Sequence, residues 1–285
     1  MADPEGARRL ELVSGAGGLQ LAVDRWPSDG APVILLHGGG QTRHAWGETA
    51  AALARQGYDV SSMDLRGHGD SGWCARRDYS LDAFRDDLRA VMAAVGRPAV
   101  LVGASMGGIA ALAVAGEPPR DGVRALVLVD ITHQPPAGGA SRIGSFMSAN
   151  PEGFATLEEA ADAVAAYLPH RPRPKDPSGL MKNLRLRDGR LHWHWDPDFL
   201  GGTSSDRKSD PDRLARAARS VTAPTLLVRG DESEIVSPAD AEALNRLIPH
   251  AQVVEIRGAR HMVAGDQNTV FGSAVIDFLT NAAPA

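Results

Sequence analysis

Short runs that are apolar at every residue alternate with stretches of helical spacing, and this alternation constrains the chain more than any other feature. Val33–Leu36, Ala99–Val102 and Ala125–Val129 are such runs, and Asp59–Asp64 is a further strand candidate that, like Val33–Leu36, stops at a glycine-rich turn. Between them Leu81–Val95 sets Phe84, Leu88, Val91, Met92 and Val95 at helical spacing, with acids and arginines interleaved. The segment Ile109–Ala115 is rich in alanine. Strands that are apolar on both faces need cover on both faces, so the pattern predicts a parallel sheet flanked by helices. Ahead of it, Arg9–Val13 and Leu19–Arg25 are joined by Ser14-Gly15-Ala16-Gly17-Gly18 and predict a hairpin.

The rhythm breaks after residue 130. From Ile131 to Ser220 the chain is rich in Pro, Gly, Arg and Asp, with a helical stretch at Leu157–Leu168 and the run Leu191-His192-Trp193-His194-Trp195. It then resumes with strands at Pro224–Val228 and Gln252–Ile256 and helices at Ala239–Leu247 and Val270–Leu279. A sheet interrupted and then continued predicts one core domain made of residues 1–130 and 221–285. The intervening 131–220 is then an insertion lying above the strand ends as a lid. A chain of 285 residues is long enough to bury a core without disulfide or metal staples. Its single cysteine, Cys74, excludes an intrachain disulfide and a multi-cysteine zinc or iron–sulfur site built from this chain alone. A formal charge of -5 argues against non-specific nucleic-acid binding, which needs a basic footprint. The apolar runs are far shorter than the ~20 residues that cross a bilayer, and the first residues hold no apolar core of a signal peptide. The expectation is a soluble cytoplasmic protein with neither nucleic acid nor membrane as partner.

The segment most informative about chemistry is Leu101-Val102-Gly103-Ala104-Ser105-Met106-Gly107-Gly108, where an apolar strand runs into Gly-x-Ser-x-Gly and then into a helix of small residues. A serine on so sharp a strand-to-helix turn crowds the residues two positions away on either side. Glycine at both relieves the clash and lifts the hydroxyl clear of the sheet. A second strand ends in His37-Gly38-Gly39-Gly40, a side-chain-free loop that lets backbone N–H groups approach an oxyanion. No Gly-Lys-Ser/Thr follows it, so it lacks the groups of a phosphate-binding loop. His261 stands just past the last predicted strand. Between that histidine and Ser105 in the chain lies Gly230-Asp231-Glu232-Ser233-Glu234, any of whose acids could orient an imidazole.

Two other patterns invite different chemistry. Gly67-His68-Gly69-Asp70-Ser71-Gly72 fits a dinucleotide fingerprint, but Trp73-Cys74-Ala75-Arg76-Arg77 is a poor helix start. His192 and His194 have metal-pair spacing on a strand, yet no cysteine or third histidine is near in sequence, and no metal site is expected. The alternating run gives Leu191, Trp193 and Trp195 one face and the two histidines the other.

Taken in order, these motifs resemble the α/β-hydrolase family, from the His37-Gly38 loop to His261 and including Asp64-Leu65-Arg66-Gly67-His68-Gly69-Asp70-Ser71. The order Ser…acid…His is the family's own. The resemblance implies a mostly parallel, eight-stranded α/β-hydrolase sheet with helices on both faces and a cap inserted after strand six. It implies Ser105 as nucleophile, His261 as general base and then acid, and an oxyanion hole from the amides of Met106 and Gly39, with Gly38 or Gly40 as alternative donors. The acid is less direct, because Ser233 stands where many members carry Asp. A subset of the family reads Gly-x-x-Ser-Asp/Glu, which favours Glu234, followed by Asp231 and then by Asp130 at the end of strand six.

The function so implied is a serine hydrolase that cleaves a small carboxylic ester, thioester or lactone through an acyl-enzyme, without a cofactor. Trp193, Trp195 and Tyr167 of the cap are candidate groups around the acyl substrate. A carbon–carbon hydrolase and a perhydrolase or haloperoxidase would use the same three groups. A non-catalytic small-ligand receptor on this fold is the alternative from another class.

Overall fold

The computed structural model describes residues 8–134, 137–201 and 210–285, with backbone alone at 137–141 and 201. The first half alternates as the apolar pattern predicts: β1 (Arg9–Ser14), β2 (Gln20–Trp26), β3 (Pro32–Leu36), α1 (Gly47–Arg55), β4 (Asp59–Met63), α2 (Leu81–Val95), β5 (Ala99–Ala104), α3 (Met106–Gly116) and β6 (Val123–Val129). After β6 come α4 (Ala137–Ser148), α5 (Leu157–Tyr167), β7 (Leu184–Arg187), β8 (Arg190–Trp193), α6 (Asp198–Gly201) and α7 (Pro211–Arg219). The sheet then resumes with β9 (Thr225–Gly230), α8 (Pro238–Leu247), β10 (Gln252–Ile256), α9 (Val263–Asp266) and α10 (Asn268–Ala282).

Eight strands form one sheet in the order β1-β2-β4-β3-β5-β6-β9-β10. The hairpin strands are antiparallel to each other, and β2 is antiparallel to β4, whereas every pairing from β4 to β10 is parallel. The period of two along each strand divides the apolar side chains between two cores. Ile34, Leu36, Leu101, Leu126 and Leu128 pack on one face with Phe84 and Leu88 of α2 and the alanines of α3. Val33, Leu35, Val100, Val102 and Val127 pack on the other with Leu53 of α1 and Phe271 and Val275 of α10. Local chemistry sets the helix ends. The Ser80 hydroxyl accepts from the Ala83 amide at the start of α2, and Gly96 closes it with φ +71°. A reciprocal Ser237–Asp240 capping box starts α8.

Between β6 and β9, apolar residues gather into a third cluster that includes Met147, Phe154, Leu184, Trp193 and Trp195. β7 and β8 pair as a two-stranded antiparallel ribbon within this segment. α7, which the sequence reading counted within the insertion, instead contributes Leu214 and Ala218 to the main core beneath the sheet. The chain therefore returns to the core before β9.

Candidate active site

Three strand ends of the parallel sheet converge on one place. At the end of β5, Ser105 adopts φ +47° and ψ -116°, a conformation that non-glycine residues rarely take. Its flanking glycines are required sterically. A Cβ on Gly103 would lie 2.5 Å from the Gly107 carbonyl oxygen, and one on Gly107 would lie 2.6 Å from the oxygen of Leu36. The turn then passes straight into α3, whose first amide, that of Met106, has no acceptor within the helix.

At the end of β6, Asp130 also has a positive φ, +48°, and its carboxylate is fully buried. Nδ1 of His261 lies 2.8 Å from Oδ2 of Asp130. The same oxygen accepts from the Ser233 hydroxyl at 2.5 Å, and Oδ1 accepts from the Gly230 amide at 3.3 Å. Since the carboxylate can only accept, Nδ1 of His261 carries the proton, which leaves Nε2 as the basic nitrogen. Ser105 and His261 line one cavity of about 330 Å³. Gly39, Trp46, Phe146, Tyr167, Trp193 and Trp195 also line it. Phe146 stacks on Tyr167 with ring centroids 4.2 Å apart, and Trp193 stacks on Trp195 at 5.1 Å. The inserted segment thus supplies most of the aromatic wall, and the sheet supplies the polar floor.

The α/β-hydrolase fold family matches residues 31–266 of this chain. The chain belongs to the α/β-hydrolase family. Its similarities include esterase Rv0045c of Mycobacterium tuberculosis, 32% identical over 252 residues, covering 85% of this chain and 80% of that protein. Another is the sn-1-specific diacylglycerol lipase ABHD11 of Mus musculus, 30% identical over 259 residues, covering 87% of this chain and 80% of that protein. Among solved structures, the Rv0045c esterase superposes with a TM-score of 0.76 at 29% identity, covering 96% of this chain and 92% of that one. The E-2-(acetamidomethylene)succinate hydrolase superposes with a TM-score of 0.81 at 24% identity, covering 95% and 99%; that likeness concerns the fold.

In this hydrolase the histidine partner differs from the one preferred on sequence. Glu234 is exposed and pairs with Arg142 at 2.5 Å and Arg260 at 3.7 Å, whereas the carboxylate on His261 is that of Asp130. Asp231 is also exposed and accepts from the Gly258 amide at 2.7 Å. Asp130, ranked third on sequence, is the acid that reaches the imidazole. Ser233 explains the exchange. The residue that replaces the more usual aspartate of this loop donates its hydroxyl to Asp130 and accepts from the amides of Ile235 and Val236.

Within the glycine loop, the amide of Gly38 is bonded to Oε1 of Gln41 and that of Gly40 to Nε2 of His68. Among the described residues only the Gly39 amide of the three is left without a partner, which separates it from the alternatives Gly38 and Gly40. The dinucleotide-like run 67–72 forms a turn closed by the Gly67 amide on the Gly72 carbonyl at 2.9 Å, and no helix begins before Leu81. His194 is buried, and both its ring nitrogens are engaged by backbone: Nδ1 accepts from Gly69 at 2.7 Å and Nε2 donates to the Gly40 carbonyl at 3.3 Å. His192 instead packs against Gly153. Trp46 and Phe146 were missed on sequence as cavity residues, because aromatic side chains in unassigned segments carry no signal of which surface they face.

Proposed function

We propose that this protein is a serine hydrolase that cleaves a small carboxylic ester, thioester or lactone through an acyl-enzyme on Ser105. One observation carries the reading: the strained Ser105 shares a cavity with His261, whose Nδ1 is hydrogen-bonded to the buried Asp130. His261 Nε2 takes the proton as Ser105 Oγ bonds to the substrate carbonyl carbon. Asp130 holds the tautomer and stabilises the imidazolium that forms. The oxyanion falls to the amides of Gly39 and Met106, neither of which has a hydrogen-bond partner among the described residues. His261 then returns its proton to the departing alcohol, and water, deprotonated by the same nitrogen, releases the acid.

Membership of a family whose relatives here include an esterase and a lipase supports the ester as substrate class. The inserted segment, with Tyr167, Trp193 and Trp195 on the cavity, serves in this reading as the cap that excludes water and selects an apolar acyl group. The direct test is turnover of p-nitrophenyl butyrate by the wild type and by Ser105→Ala, both shown to be folded. Loss of activity on the order of 10³-fold or more in the variant is expected. Equal turnover by both would overturn the assignment.

A further inference from the structure

Three buried histidines surround the glycine loop. His37 follows β3, His68 lies in the turn after β4, and His194 lies just past β8 in the inserted segment, with ring centroids 5.2 Å apart for the first pair and 5.7 Å for the second. Backbone partners dictate every proton position, because an amide can only donate and a carbonyl can only accept. His37 donates from Nδ1 to the Gly38 carbonyl and accepts at Nε2 from Leu65. His68 donates from Nδ1 to the Arg66 carbonyl and accepts at Nε2 from the Gly40 amide. His194 accepts at Nδ1 from Gly69 and donates from Nε2 to the Gly40 carbonyl. Each neutral ring has one donor and one acceptor, and each is spent on main chain.

The consequence lies at Gly40, whose φ of +74° places it in the left-handed region. Its amide is held by His68 from the turn after β4 and its carbonyl by His194 from the insertion, so both polar groups of the residue next to the Gly39 donor are held by histidine.

We infer that His194 is a positioning residue for the reaction: the Gly39 amide shares its peptide plane with the Gly38 carbonyl held by His37, and His194, through the Gly40 carbonyl, anchors the chain on the other side of that donor, so the loop that carries the oxyanion site is fully held only when the inserted segment is seated. The inference rests on the serine-hydrolase reading. It gives the insertion a part in transition-state stabilisation in addition to lining the cavity.

Two isosteric half-replacements separate the two bonds of His194. His194→Gln can place an amide nitrogen near the Nε2 position and keep the donor to Gly40. His194→Asn can place an oxygen near the Nδ1 position and keep only the acceptor for Gly69. For p-nitrophenyl butyrate, His194→Asn should lower kcat about 10²-fold with KM little changed, as expected for a misplaced oxyanion donor. Its affinity for butylboronic acid, which forms a tetrahedral adduct on the serine, should fall by a similar factor. His194→Gln should stay within a few-fold of wild type in both. Equal values for the two folded variants would overturn the inference and leave His194 a structural residue. If neither variant folds, the wild type decides: boronate binding should shift the ¹⁵N resonance of His194 Nε2, and an unmoved resonance overturns the inference. Ser105→Ala is run alongside. A fully active Ser105→Ala sinks the hydrolase reading, whereas an inactive Ser105→Ala with an unaffected His194→Asn sinks only the positioning role.

Discussion

Among single residues, the chemistry turns on which carboxylate reaches His261. Asp130 is buried and carries a positive φ, and its carboxylate makes three hydrogen bonds, whereas Glu234 lies on the surface between two arginines. Holding Ser105 and Asp130 in sparsely populated backbone conformations costs on the order of 1–3 kcal/mol each, and such strain gathers at sites where direction matters more than stability. Asp130→Asn should therefore lower kcat by about 10⁴-fold, because an amide can stabilise the wrong imidazole tautomer. Glu234→Gln should change kcat by no more than a few-fold. Steady-state kinetics on the two purified variants checks this, and a larger loss in Glu234→Gln would contradict the assignment. That Ser105 and His261 meet at one cavity was legible in part: the Gly-x-Ser-x-Gly spacing has a steric cause, and His261 stood out only by its place after the last strand. The acid was not, since the choice among Asp130, Asp231 and Glu234 depends on which strand end faces the histidine across the sheet.

At the scale of elements, periodicity carried most of the fold. The α2 range and the two-face division of the strands follow from residue spacing alone. The sequence reading passed over β7, α1, α4 and α7. β7 is only Leu-Arg-Leu-Arg, too short for its alternation to stand out. α7 did carry a signal, with Asp210 as N-cap before a proline at the first turn.

The ties between elements are less legible still. The ribbon strand β8 leads into His194, which reaches the glycine loop, and Arg171 pairs with Asp266 of α9 at 2.6 Å. The histidine ties have a consequence for pH. Burial lowers His37 from 6.5 to about 4 and His68 from 6.5 to about 3, and burial beside the other two rings holds His194 well below the ordinary value. In the unfolded chain these rings bind protons first as pH falls. Stability is thus complete above about pH 6.5 and declines below it as the folded pKa values are approached, each ring making unfolding roughly tenfold easier per pH unit. Urea unfolding at about pH 7 and about pH 5, above the range where carboxylates titrate, should show a clearly lower midpoint at the acid value. Equal midpoints would contradict the neutral, backbone-bonded assignment of these rings.

At the scale of the whole molecule, two cores on opposite faces hold the sheet rigid, and a third apolar cluster stands over its strand ends. That division lets one part fix the reacting groups while another shapes the cavity, an arrangement in which function resides in the site and not in the fold alone. Among the described residues no helix is long and apolar enough to cross a membrane. The interruption of the sheet was legible from composition, but the return of α7 to the main core was not, because it depends on packing against α3.

The proposed mechanism requires a covalent intermediate on one serine, and mass spectrometry of the protein acid-quenched during p-nitrophenyl butyrate turnover, followed by peptide mapping, detects it. The added mass of one butyryl group is expected on the peptide that contains Ser105, and none in Ser105→Ala. Turnover with the butyryl group on another residue, or undiminished turnover by Ser105→Ala, would contradict it.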